Sequence, residues 1–163
     1  MVSLSTPLFK TVFHDSFYFK IAACYTDEPQ VVYENKGLLK SIYIALNAHM
    51  NNFEIFDQAV LALSNLTKFA RSFEAADIGL FIESVSNGLR CHYKKSSELC
   101  ENALESLNAL LVLSGALDMK TKAETLKTVN ALLALYCKDK AGEYTNSRLS
   151  RLGASSLVYL LSK

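Results

Sequence analysis

The chain has 163 residues, half of them hydrophobic and a fifth charged, with six Gly, two Pro, no Trp and a formal net charge of +1. That length suits one domain, and so apolar a chain buries a core, which excludes a disordered tail and a disulfide-stapled miniprotein. Near-balanced charge removes the argument for nucleic acid or anionic lipid that a strongly basic chain offers, but the halves differ: residues 1–119 carry a net −4 and residues 120–163 a net +5.

Taken in order, Pro7 and Pro29 sit where a missing N–H costs nothing, in the first turns of two helical segments. Residues 6–24 place Phe9, Phe13 and Phe17 four apart on one helical stripe, and 28–36 read as a turn or short helix. Three pairs follow, a shorter helix and then a longer one: 37–49 with 53–70, 80–93 with 97–114, and 124–137 with 146–162. Asn51 with Glu54 and Thr121 with Glu124 fit capping boxes, and Ser96 or Ser97 supplies a further cap. Behind these caps apolar residues recur at three and four, as in Ile55, Ala59, Ala62, Leu63, Leu66 and in Leu99, Ala103, Leu107, Leu110. No alternating strand pattern of useful length occurs, so the expected class is all-α.

The chain is self-similar. At an offset of 44, residues 57–66 fall on 101–110, matching Ala59 with Ala103, Leu63 with Leu107 and Leu66 with Leu110, while Ile82, Val85 and Leu89 fall on Leu126, Val129 and Leu133. One amphipathic pair cannot bury its own apolar face, whereas stacked pairs share a core, and a period of 40–47 residues is that of helical solenoids. The expected organisation is one domain over 1–163, with 1–36 an incomplete leading unit and 37–79, 80–123 and 124–163 as repeats.

Residues 51–69, NNFEIFDQAVLALSNLTKF, resemble the third helix of an armadillo repeat, and Tyr33–Leu39 and Ala76–Phe81 resemble the Gly-containing turn that opens the second helix of that family. The resemblance covers about 28–114 well and 120–163 weakly. It implies a right-handed α-solenoid of about three and a half repeats, with the third helices lining a concave, protein-binding face. Asn65 holds the family's Asn position, Leu61 stands where Trp would be, and Glu105 and Ala109 take those positions in the next unit, so the Trp and Asn ladder that grips extended peptides is broken. Opposite the apolar stripe, Gln58, Leu61 and Asn65, then Asn102, Glu105 and Ala109, are the candidate partner-binding residues of that face.

Chemistry is hard to place. No Gly-rich phosphate loop, His-Glu-x-x-His or Gly-x-Ser-x-Gly occurs. His49 and His92, equivalent in the repeat and each at a helix end, suit contact with terminal carbonyls. Cys24, Cys91, Cys100 and Cys137 have no zinc spacing and read as buried small apolar residues of a reducing, intracellular compartment, most simply the cytoplasm; residues 1–19, with Asp15 their single acid, also fit an organellar presequence. No apolar run approaches the ~20 residues of a membrane span.

The expectation is therefore a non-catalytic scaffold or adaptor without cofactor or metal, a small subunit of a larger assembly binding other protein subunits or itself. Phe9, Phe13 and Phe17 are a candidate interface at the N-terminal end, and the apolar run 157–161 makes the other end adhesive. Lys138, Lys140, Arg148 and Arg151 are a candidate patch for an anionic partner, and RNA contact through them is an alternative. Regulation of a chaperone or small GTPase, as by armadillo-like exchange factors, is another.

Overall fold

A computed structural model describes residues 36–69, 75–136 and 147–162. Those residues form six α-helices and no strand: α1 (Lys36–Ala48), α2 (Phe53–Phe69), α3 (Ala75–His92), α4 (Ser97–Leu113), α5 (Met119–Tyr136) and α6 (Ser147–Ser162). The all-α class is therefore observed. Phe9, Phe13, Phe17, Cys24, Cys137, Lys138 and Lys140 lie outside the described residues.

Each helix buries the stripe that its spacing marks out. In α2, Ile55, Phe56, Ala59, Val60, Ala62, Leu63 and Leu66 are buried; in α4, Leu99, Cys100, Ala103, Leu104, Leu107, Leu110 and Leu111 are. Each fully buried Leu or Phe contributes about 1.5–3 kcal/mol relative to exposure, and these residues join one continuous core. The odd-numbered helices pack on one another, α1 on α3 and α3 on α5, and the even-numbered ones likewise, α2 on α4 and α4 on α6. Two layers result, joined within each hairpin.

Helix boundaries depart from the sequence reading in an instructive way. Asn52, not Asn51, caps α2, its Oδ1 accepting from Ile55 N at 3.3 Å. Ser96 caps α4 as expected, accepting from Leu99 N at 3.1 Å. Asp118 caps α5, accepting from Lys120 N at 3.0 Å and Thr121 N at 2.9 Å, so the helix begins five residues before the expected start at 124 and Thr121 is buried within it. Likewise α3 begins at Ala75, and Ala76–Phe81 is helix rather than the Gly-containing turn the resemblance implies. The expected unit boundaries at 79/80 and 123/124 therefore fall inside helices. Between α4 and α5 only residues 114–118 intervene, so no third short helix precedes α5.

The layers are stitched laterally by small polar groups. Asn47 Nδ2 donates to Ser84 Oγ at 2.9 Å between α1 and α3, and the buried hydroxyls of Ser86 and Thr125 lie 2.9 Å apart between α3 and α5. Asn108 Nδ2 donates to Leu152 O at 3.0 Å, and Ser156 Oγ to Asn108 Oδ1 at 2.7 Å, between α4 and α6. Hydroxyls are tolerated in these seams because each finds a partner across the helix pair. His92, at the end of α3, is 2% exposed and bonded through Nε2 to Met50 O at 2.7 Å, with its ring 5.5 Å from that of Phe56. It thus meets a carbonyl beyond the C-terminus of another helix, α1, instead of its own.

Candidate binding face

The outer surfaces of α2 and α4 lie side by side. Gln58, Leu61 and Asn65 are half-buried on α2, and Asn102, Glu105 and Ala109 half-buried on α4, all on the side away from the core stripe of their helix. Helical spacing alone places them there. Val112, 56% exposed, continues the α4 surface toward its C-terminus.

At the N-terminal ends of these two helices the surface is acidic, with Glu54 and Asp57 on α2 and Glu98 and Glu101 on α4. Carboxylates there complement the helix dipole. Burial, and then the neighbouring Glu98 carboxylate, push the Asp57 carboxyl above the ordinary aspartate value. Toward the C-terminal ends the surface becomes apolar on α4, through Ala109 and Val112, and basic on α2, through Lys68, with Leu61 midway along α2.

Between the two zones an ion network spans three helices. The Glu105 carboxylate accepts from Ser64 Oγ at 3.0 Å and pairs with Lys68 Nζ at 3.3 Å, both on α2, and takes Nη2 of Arg148 from α6 on its other oxygen. Arg148 Nη1 also reaches Glu101 Oε2 at 3.3 Å. Partial burial alone would raise the Glu105 carboxyl, but the bonds from Arg148, Ser64 and Lys68 outweigh it and hold the group below the ordinary glutamate value. Glu105 therefore bridges helices as well as lining the surface.

Arg148 and Arg151 turn to different sides of α6. Arg148 is engaged by Glu101 and Glu105, whereas Arg151 lines a groove between α5 and α6 with Asn130, Leu133, Ala134, Ser150, Ala154 and Leu157. Among the described residues the expected cationic cluster is thus not one patch.

Two features escape a reading of the sequence. Ser64, Lys68 and Glu101 join Glu105 and Arg148 in the network, and their only advance signal is a charge or hydroxyl on successive long helices. On the opposite layer a polar cleft of about 330 Å³ between α3 and α5 is lined by Glu83, Ser86, Asn87, Arg90, Lys120, Thr121, Glu124 and Thr125. There Arg90 Nη1 pairs with Glu124 Oε2 at 2.6 Å and Nη2 donates to Asn87 Oδ1 at 3.3 Å.

Cys100 is buried and its thiol is pushed up to about 12, by burial first and by Glu101 second; Cys91, contrary to expectation, is exposed. Burial follows helix register, which turns Cys100 inward and Cys91 out. Among the described residues no three His, Cys, Asp or Glu converge to hold a metal, and no helix is long and apolar enough to cross a membrane. Compared with protein families, curated proteins and solved structures, the chain matches none.

Proposed function

We propose that the chain is a non-catalytic scaffold, a short armadillo-like solenoid of about three and a half units, and that a protein partner binds across the outer surfaces of α2 and α4. The observation that carries this reading is the continuity of that surface: six half-buried side chains on two adjacent helices, bordered by carboxylates at the N-terminal ends of both and by apolar Val112 toward the C-terminal end of α4, with Glu105 tying the two helices together. A surface so graded suits a partner with cationic residues at one end and apolar ones at the other. The solenoid reading draws support from the like-with-like packing of odd and even helices and from the more extensive contact among the even ones, as on the inner side of a curved stack. A two-helix unit beginning at α5 departs from the three-helix armadillo pattern and brings that unit closer to its two-helix relatives.

The test is affinity isolation of the tagged chain from its own cells at moderate salt, against Leu61→Asp and Val112→Asp, with mass spectrometry and a nuclease-treated arm. The scaffold reading expects a stoichiometric protein set that both variants lose while keeping wild-type helicity. Retention of the set by both variants refutes the face. A nuclease-sensitive set would favour RNA, a reading that the engagement of Arg148 by two carboxylates disfavours.

A further inference from the structure

One contact recurs in two lateral seams with opposite chemistry. Between α1 and α3 the rings of Tyr43 and Phe81 meet edge to face, their centroids 5.8 Å apart. His49 with His92 sets an offset of 43 from α1 to α3, and Ile82 with Leu126 one of 44 from α3 to α5; these shifts carry Tyr43 onto Ser86 and Phe81 onto Thr125. Those two residues do meet between α3 and α5, but as hydroxyls 2.9 Å apart. The flanking positions change in the same sense: Ile44 and Leu80 of the first seam, both exposed and apolar, correspond to Asn87 and Glu124 of the second. Two hydroxyls fill far less space than two rings, and the cleft of about 330 Å³ opens over them.

The lining of that cleft is polar throughout. Ser86, Thr121 and Thr125 are buried in it. The Arg90 guanidinium also lines it, fixed by Glu124 Oε2 at 2.6 Å and Asn87 Oδ1 at 3.3 Å. Those bonds use two of the five N–H groups of a rigid fork, so the direction of the others is set. Glu83 from α3 and Lys120 from α5 stand on opposite walls, and among the described residues neither side chain has an ion-pair partner.

Size, polarity and charge together define a ligand. Ligand clefts run from about 300 to 1,000 Å³, so an occupant at the lower end of that range is a small molecule. With no apolar side chain in the lining, it has no apolar body to bury, and the hydroxyls and the amide call for hydrogen-bonding groups along its length. An unpaired ammonium facing an unpaired carboxylate calls for both signs of charge in one molecule. We propose that the α3–α5 cleft binds a small polar α-amino acid as the zwitterion, its carboxylate on Arg90 and Lys120 and its ammonium on Glu83. The site lies in the opposite layer from the α2–α4 face, and its occupant ties α3 to α5.

The test follows backbone amide shifts of the isotope-labelled full chain during titration with glycine, serine, asparagine, glutamine, leucine and phenylalanine, each up to about 10 mM. Serine, asparagine or glutamine should saturate with a dissociation constant of about 0.1–1 mM, in keeping with so few ligand atoms, and should move the amides of residues 83–90 and 120–125. Leucine, phenylalanine, and the half-ligands ethanolamine and lactate should bind at least about tenfold more weakly. Glu83→Gln and Lys120→Gln alter exposed side chains, so each should keep the wild-type circular dichroism spectrum and lose about tenfold in affinity. Ser86→Tyr with Thr125→Phe rebuilds the ring pair of the first seam and should abolish binding. No saturable shift with any of the six amino acids, or shifts centred elsewhere, overturns the proposal. So does leucine, phenylalanine, lactate or ethanolamine binding as tightly as the polar amino acids, or undiminished affinity in either Gln variant. None of these outcomes bears on the scaffold reading, which is measured in cell extract on the other layer.

Discussion

Substituting alanine for Gly88 sets two effects of a helical glycine against each other. Alanine in a helix interior ordinarily gains about 1 kcal/mol over glycine, and Gly79 in the same helix offers the control, since a Cβ there meets nothing within 4 Å. At Gly88 the Cβ lands 2.0 Å from Phe56 Cε2, 2.4 Å from Cζ and 2.6 Å from Cδ2. Ordinary contact begins at 3.4 Å, so the ring must retreat by more than an ångström. Phe56 is 0% exposed, with the His92 ring centroid 5.5 Å away, and that imidazole is itself tied to Met50 O. Overpacking a core costs about 1–3 kcal/mol, and a ring with no free volume belongs at the upper end. Net of the propensity gain, Gly88→Ala should destabilise by ~2 kcal/mol and Gly79→Ala stabilise by up to ~1 kcal/mol. Urea unfolding followed by circular dichroism, fitted with a common slope, measures both. Phe56→Leu in the Gly88→Ala background should recover part of the loss. A Gly88→Ala chain as stable as wild type, or stabilised as much as Gly79→Ala, would refute the packing of α3 on α2 through this glycine.

Asp118→Ala removes the acceptor for Lys120 N and Thr121 N and should lower the melting temperature by ~2–4 °C, with Asp118→Asn retaining most of the wild-type value; equal melting of all three would displace the cap. Glu105 is held below the ordinary glutamate value in the folded chain, so its contribution is full above the ordinary carboxylate range and is lost as pH falls through the lower folded value. Its Lys68 and Arg148 partners are half exposed, which limits the effect to about 0.5 kcal/mol; wild type should be the more stable by that amount at neutral pH, and its stability should fall toward that of Glu105→Gln as pH drops through the window, the two pH slopes differing there and nowhere else. Brief alkylation at neutral pH with peptide mapping should modify exposed Cys91 and spare Cys100, whose thiol is pushed up to about 12, until urea is added. Equal labelling rates for the two would contradict the burial of α4.

The period of the apolar residues makes the helices legible, because a stripe at three and four has no other economical burial. Boundaries are less legible, since they turn on local competition. Gly79 reads as a breaker, yet a helical glycine facing open space costs only ~1 kcal/mol, which burial of Ile78 offsets. Thr121 with Glu124 has the spacing of a capping box, but Asp118 captures the free N–H groups first and Thr121 turns inward. The outer faces of α2 and α4 follow from helical rotation alone, which is why Gln58, Leu61, Asn65, Asn102, Glu105 and Ala109 share one surface. The grip of Ser64, Lys68 and Arg148 on Glu105 does not follow, because it depends on the lateral register of helices 37 to 43 residues apart.

Among the described residues every substantial helix contact joins helices of the same or the adjacent hairpin, and the lateral bonds obey the same limit, from Asn47 with Ser84 to Asn108 with Ser156. Cohesion in such an arrangement is summed along the chain rather than pooled in a centre. Among the described residues the α3–α4 hairpin is held from both sides, by α1–α2 and by α5–α6, so that opening it breaks two sets of seams at once. The described helices behave in this respect like the teeth of a zipper, each engaged only with its neighbours.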